Sequence, residues 1–128
     1  MLRELFGQQR RRFLTTASEL DLHPAQAGAL LQMKPGEPLP MHELATMLAC
    51  DNSNVTGIVD RLEARGLVAR QPYALDRRVK HLALTALGAE LQQQLLERMG
   101  RPPAGVRKLS PAGQVKLRDV LRRAASET

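Results

Sequence analysis

The sequence predicts a mainly α-helical protein carrying one small β-hairpin, and three observations lead there. Val55, Ile58, Val59 and Leu62 fall at i, i+3, i+4 and i+7, the spacing of one buried helix face. Leu67–Arg70 and Val79–Leu84 are β-branched or alternating segments separated by a polar turn containing Pro72, Tyr73 and Asp76, which reads as a two-stranded hairpin. Apolar stripes at helical spacing lie on both sides of that unit.

Taken in order, Leu2, Leu5, Phe6, Phe13, Leu14 and Ala17 predict a first helix over about 2–20. Pro24 suits a first helical position, where its missing N–H would have had no partner. Ala27, Leu30 and Leu31 give the second helix its apolar face, and Pro35-Gly36 ends it. Pro38 and Pro40 bracket a short extended stretch, followed by a short third helix over Met41–Leu48 with Leu44, Met47 and Leu48 on one face. Asp51, Asn52 and Ser53 offer caps to the fourth helix, which Gly66 closes. Thr85 can cap a helix bearing Leu87, Leu91, Leu95 and Met99. Ser110-Pro111 starts a last helix bearing Leu117, Val120, Leu121 and Ala124, and Gly100–Leu109 links the two.

The 128 residues amount to a single domain's worth, 43% hydrophobic and 25% charged. Phe6, Phe13 and Tyr73 are the aromatics, so aliphatic side chains must fill the core. The formal charge of +6 invites a nucleic-acid partner, but residues 1–97 hold 11 Lys or Arg against 11 Asp or Glu, and the surplus lies in residues 98–128. On the last helix Arg118, Arg122 and Arg123 sit opposite Leu117, Val120 and Leu121, which reads as a solvated face. Cys50 has no partner for an intramolecular disulfide, no charged leader and apolar run opens the chain, and no apolar run approaches the roughly 18 residues of a membrane span. The expectation is a cytoplasmic protein.

Two short helices joined by about four residues and followed at once by a hairpin make a winged helix-turn-helix, an arrangement that reads DNA. The stripe of the fourth helix leaves Ser53, Asn54, Thr56, Gly57 and Arg61 on the opposite side, where short polar groups near a helix N-terminus meet base edges and phosphates. Asn54 is the foremost candidate for base readout. The hairpin sets Arg70, Arg77, Arg78 and Lys80 against Asp76, a charge placed to reach a minor groove, with Asp76 positioned to orient one guanidinium.

The run Glu43-Leu-Ala, then Ser53-Asn-Val-Thr-Gly-Ile-Val-Asp-Arg-Leu-Glu-Ala-Arg-Gly-Leu-Val, then Asp76-Arg-Arg and Leu82-Ala-Leu-Thr85 resembles the MarR transcription regulators from about 24 to 98. The resemblance implies that Ser53, Asn54, Thr56 and Gly57 face the major groove, that Arg78 enters the minor groove, and that Asp76 buttresses it. Gly57 departs from the pattern in which a larger side chain often follows the Thr. Intertwined first and last helices would make a homodimer, placing two fourth helices roughly 34 to 36 Å apart over an inverted repeat. The chain would then be a single domain over 1–128, with 38–85 the winged helix-turn-helix and 2–34 and 86–125 mainly helical dimerisation and support. Small aromatic effectors that release DNA are implied too, though the sparse aromatics mark no effector-binding residues.

Cys50 could be an oxidation sensor, but a small, partly buried packing residue is the better reading. His23, His42 and His81 lack the spacing of a metal pair and read as structural or surface residues. No phosphate loop or catalytic elbow occurs, so neither enzyme activity nor a cofactor or metal is expected. The expected function is a DNA-binding transcriptional repressor. The alternative is a winged-helix architectural DNA-binding or protein-interaction module without an effector; an exposed face of Ser, Asn, Thr and Arg with no aromatic anchor suits DNA better than a protein partner.

Overall fold

The computed structural model describes residues 2–50, 52–73, 75–100 and 104–126, apart from the side chains of Leu2, Asn52, Ser53, Tyr73 and Arg77. Asp51 and the side chains of Asn52 and Ser53, the expected caps, therefore lie outside what is described.

Helix α1 (Leu2–Glu19) turns into α2 (Pro24–Gln32) through Asp21, at a left-handed φ of 56°, with the Leu22 N–H donating to the Ala17 carbonyl at 2.8 Å. Pro24 occupies the start of α2, as its missing donor allows. The cap in front of it is His23: Nδ1 accepts from the Ala25 N–H at 3.3 Å, and the Gln26 side chain accepts from the His23 N–H at 3.4 Å. A reciprocal cap of this kind satisfies two donors that the helix itself cannot.

Strand β1 (Leu39–Pro40) leads into α3 (Met41–Leu48), and α4 (Asn52–Ala64) follows. Gly66, at φ 73°, ends α4 as its freedom at positive φ predicts. Strands β2 (Val68–Tyr73) and β3 (Asp76–Leu84) complete a three-stranded antiparallel sheet in the order β1-β3-β2. The expected two-stranded hairpin thus gains a strand from the Pro-bracketed stretch. Buried Leu39 opposite buried Leu82 draws it in, and as an outer strand it tolerates the missing donor of Pro40.

The hairpin itself is longer than predicted. Tyr73 pairs with Asp76, so Pro72, Tyr73 and Asp76 lie in strands instead of a turn. Backbone pairing needs no apolar alternation, and β2 is also an outer strand where Pro72 is accommodated beside a register irregularity.

Leu30, Leu44, Val55, Val59, Leu62, Leu82 and Leu95 are the largest fully buried side chains, and the whole stripe of α4 lies inside. On α3 the buried residues are Leu44 and Ala45, whereas Met47, expected on that face, is half exposed. The inward stripe runs through Leu44, Ala45 and Leu48, which turns Met47 outward.

Thr85 caps α5 (Ala86–Met99): its hydroxyl accepts from the Gly88 N–H at 3.0 Å and donates to the Gly66 carbonyl at 2.5 Å. Gly88 lies so close to Leu67 that a Cβ there would fall 1.9 Å from its carbonyl oxygen. Buried Gln92 donates to the carbonyls of Leu30 and Met33, closing the C-terminal end of α2.

A single helical turn, α6 (Ala104–Arg107), interrupts the expected linker. Helix α7 (Pro111–Ser126) is capped by Ser110 Oγ, which accepts from the Gly113 N–H at 3.1 Å. No residue of α7 is buried, and Arg118, Arg122 and Arg123 are exposed as expected. Among the described residues no helix is long and apolar enough to cross a membrane.

Candidate nucleic-acid interface

The turn between α3 and α4 passes through Ala49, left-handed at φ 52°, whose N–H is shared by the Ala45 and Thr46 carbonyls. The Cys50 N–H then donates to the Ala45 carbonyl at 3.0 Å. These bonds satisfy the last groups of α3 while the chain changes direction, as a left-handed helix cap does. Cys50 itself is half-buried against the core, its thiol directed to the Leu48 carbonyl at 3.4 Å.

With Val55, Ile58, Val59 and Leu62 inside, α4 turns Asn54, Thr56 and Arg61 to the surface. Asn54, Gly57 and Arg61, together with Ala25, Cys50 and Ile58, line a shallow open groove of about 360 Å³. A Cβ at Gly57 would meet nothing within 4 Å, so the helix backbone is approachable there. Thr56 departs from this line, its hydroxyl lying 3.7 Å from Met41 Sδ on α3. The predicted side chain of Ser53 lies outside the described residues.

On the wing, Arg78 is 94% exposed. Asp76 Oδ1 accepts from the Arg78 backbone N–H at 3.0 Å and lies 3.5 Å from its guanidinium Nε. The expected pairing of these two residues is therefore present. Lys80, opposite Pro72, is exposed as well. The side chain of Arg77 is outside the described residues.

Arg70, counted from the sequence with the wing's charge, is engaged elsewhere. Its guanidinium reaches Asp60 at 2.5 Å and Glu63 at 2.9 Å, both on α4, and Glu63 also accepts from the Arg70 backbone N–H at 3.2 Å. The hydrogen bond that the Asp60 carboxylate accepts from the guanidinium raises the Arg70 pKa above its ordinary value despite an opposing desolvation cost. This pair of carboxylates ties the base of the wing to α4 and cancels one of its cations. The acidic residues at i and i+3 of α4 were the only hint in the sequence, and they do not name their partner.

Arg65 went unpredicted. From the end of α4 its guanidinium donates to the carbonyls of Asp21 at 2.5 Å and Leu20 at 3.5 Å, satisfying acceptors at the end of α1. Nothing near Arg65 in the chain signals this, because its partners lie more than forty residues away.

Comparison with known proteins agrees with this architecture. The sequence profile of the MarR family matches residues 22–80. The HTH-type transcriptional repressor MdtR of Bacillus subtilis is 34% identical over 87 residues, covering 68% of this chain and 56% of that protein. The HTH-type transcriptional repressor NicR of Pseudomonas putida is 31% identical over 96 residues, covering 75% of this chain and 61% of that protein. The chain thus spans less than two thirds of the length of either relative. Among solved structures, YusO of Bacillus subtilis is similar over 99% of this chain and 91% of its own, at 26% identity and a TM-score of 0.75. Bordetella bronchiseptica BpsR, described as regulated in its DNA binding by 6-hydroxynicotinic acid, is similar over 97% of this chain and 89% of its own, at 25% identity and a TM-score of 0.69. Residues 22–80, which hold the helix-turn-helix and most of the wing, match the MarR family.

Proposed function

We propose that the chain is a DNA-binding transcriptional repressor that acts in the cytoplasm as a homodimer on an inverted-repeat operator. The observation that carries this reading is the pairing of two exposed features: the Asn54–Gly57–Arg61 face of α4 and a wing whose Arg78 is held by Asp76. Asn54, Gly57 and Ser53 read base edges, Thr56 and Arg61 contribute polar and phosphate contacts, and Arg77, Arg78 and Lys80 neutralise the backbone around the minor groove.

Residues 1–128 work as one domain in which 38–85 meet DNA and 2–34 and 86–125 support and dimerise. Helix α7 supports the dimer: Val115, Val120 and Leu121 are about half exposed, and Phe6 of α1 is exposed to 68%. A second copy would cover apolar area that a monomer leaves in water. Release by a small aromatic effector completes the reading, supported by the regulation described for BpsR. No catalytic step is part of it.

The test is titration of the purified protein with the DNA upstream of its own coding region and with a scrambled duplex across a salt series, with mass measured in the same buffer. Salt-sensitive preference for the upstream fragment by a dimer is the expected result. Equal, weak binding to both duplexes would overturn operator recognition in favour of an architectural role.

A further inference from the structure

Leu75 stands in the turn of the wing with 84% of its surface exposed, more than any other large apolar side chain described. Exposed leucines are common on proteins and most mean nothing. The setting of this one is particular. Leu75 stands in the chain between Tyr73, where one strand ends, and Asp76, which pairs with Tyr73 and holds the Arg78 backbone at 3.0 Å. Among the described residues the wing therefore presents a highly exposed leucine close in sequence to a highly exposed guanidinium.

We infer that Leu75 is an apolar minor-groove contact that makes the wing prefer A·T over G·C pairs; the inference rests on the DNA-binding reading proposed above. The walls of a minor groove are deoxyribose C–H groups, against which an aliphatic side chain displaces water favourably. A narrow A·T groove encloses such a side chain more completely. At a G·C pair the guanine N2 amino group projects into the same space, and leucine offers no acceptor for it. Arg78 supplies attraction to the phosphates on either side, while Leu75 adds discrimination without adding charge. Its contribution consequently leaves the salt dependence of binding untouched, since no counterion is released on its account.

The experiment uses a duplex selected by the wild-type protein from a random pool, with hydroxyl-radical cleavage marking the base pairs shielded by the wing. Those pairs are made A·T, G·C or inosine·C, the last keeping the major-groove face of G·C but lacking the N2 amino group. The wild type is expected to bind the A·T and inosine·C forms about fivefold or more tighter than the G·C form. Leu75→Asn should bring the three forms within about twofold of each other at an unchanged salt slope, and Leu75→Met should restore the preference. An unchanged thermal midpoint in Leu75→Asn is expected from its exposure. Retention of the wild-type preference by Leu75→Asn, or inosine·C behaving as G·C in the wild type, overturns the inference alone. Failure of the wild type to select any duplex overturns the DNA-binding reading and this inference with it.

Discussion

Arg70 at the base of the wing and Asp60 on α4 lie 2.5 Å apart, joined by a guanidinium that also reaches Glu63. The two surfaces proposed to meet DNA are thereby held at a set angle. Arg70→Ala should cost about 1 kcal/mol of stability, the pair being partly solvated. DNA affinity should fall while its salt slope stays the same, because this cation is already neutralised within the protein. A raised Arg pKa means the contribution is fully present below the ordinary value and is lost only as pH climbs beyond it, so chemical denaturation of wild type and variant should differ by a constant amount between pH 6 and 9 as far as Arg70 ionisation is concerned.

Arg78 is positioned differently. At 94% exposure its truncation removes almost no packing, so Arg78→Ala should unfold within about 0.5 kcal/mol of the wild type. Its binding should weaken strongly, with the slope of log affinity against log salt reduced by about one. Asp76→Ala should weaken binding with that slope intact, since the cation remains but loses its orienting acceptor. Equal slopes for wild type and Arg78→Ala would remove Arg78 from the interface.

Asn54→Ala, on the groove face of α4, should leave non-specific affinity near the wild-type level and relax selection at the operator positions it reads. Competition between single-base operator variants measures this directly.

Two glycines make opposite forecasts. Gly57→Ala meets open space and should stabilise the helix by about 1 kcal/mol, while altering base preference through the added methyl group. Gly88→Ala places a methyl carbon against the Leu67 carbonyl and should destabilise by at least about 2 kcal/mol, read as a lowered denaturation midpoint.

Gln92→Leu should cost about 1–3 kcal/mol, because the carbonyls of Leu30 and Met33 lose a buried donor. Amide exchange at the C-terminal turn of α2 should rise before the rest of the protein responds.

Much of the architecture was legible in the chain. The extents of α3 and α5, the inward stripe of α4, and the Thr85 and Ser110 caps follow from local spacing and capping chemistry. That Asp76 orients a guanidinium was expected from the charges of the wing, and that the guanidinium is Arg78's was what the resemblance implied. Less could be read elsewhere: the His23 cap is local, but histidine is not among the residues that favour that position, Met47 shares the expected face with Leu44 and Leu48 yet turns outward, and the extended stretch at Leu39–Pro40 does not name its remote partner Leu82.

What the sequence determined by itself is the succession of helices, the hairpin, and the polar face that α4 turns outward, because apolar periodicity and Pro, Gly and capping residues act within a few positions. Tertiary structure alone decided that Arg70 belongs to Asp60 and Glu63, that Arg65 closes α1, and that Gln92 closes α2. A charge or amide seeks whichever complementary group the packing brings within about 3 Å, and that neighbour is set by how the helices stack, not by distance along the chain.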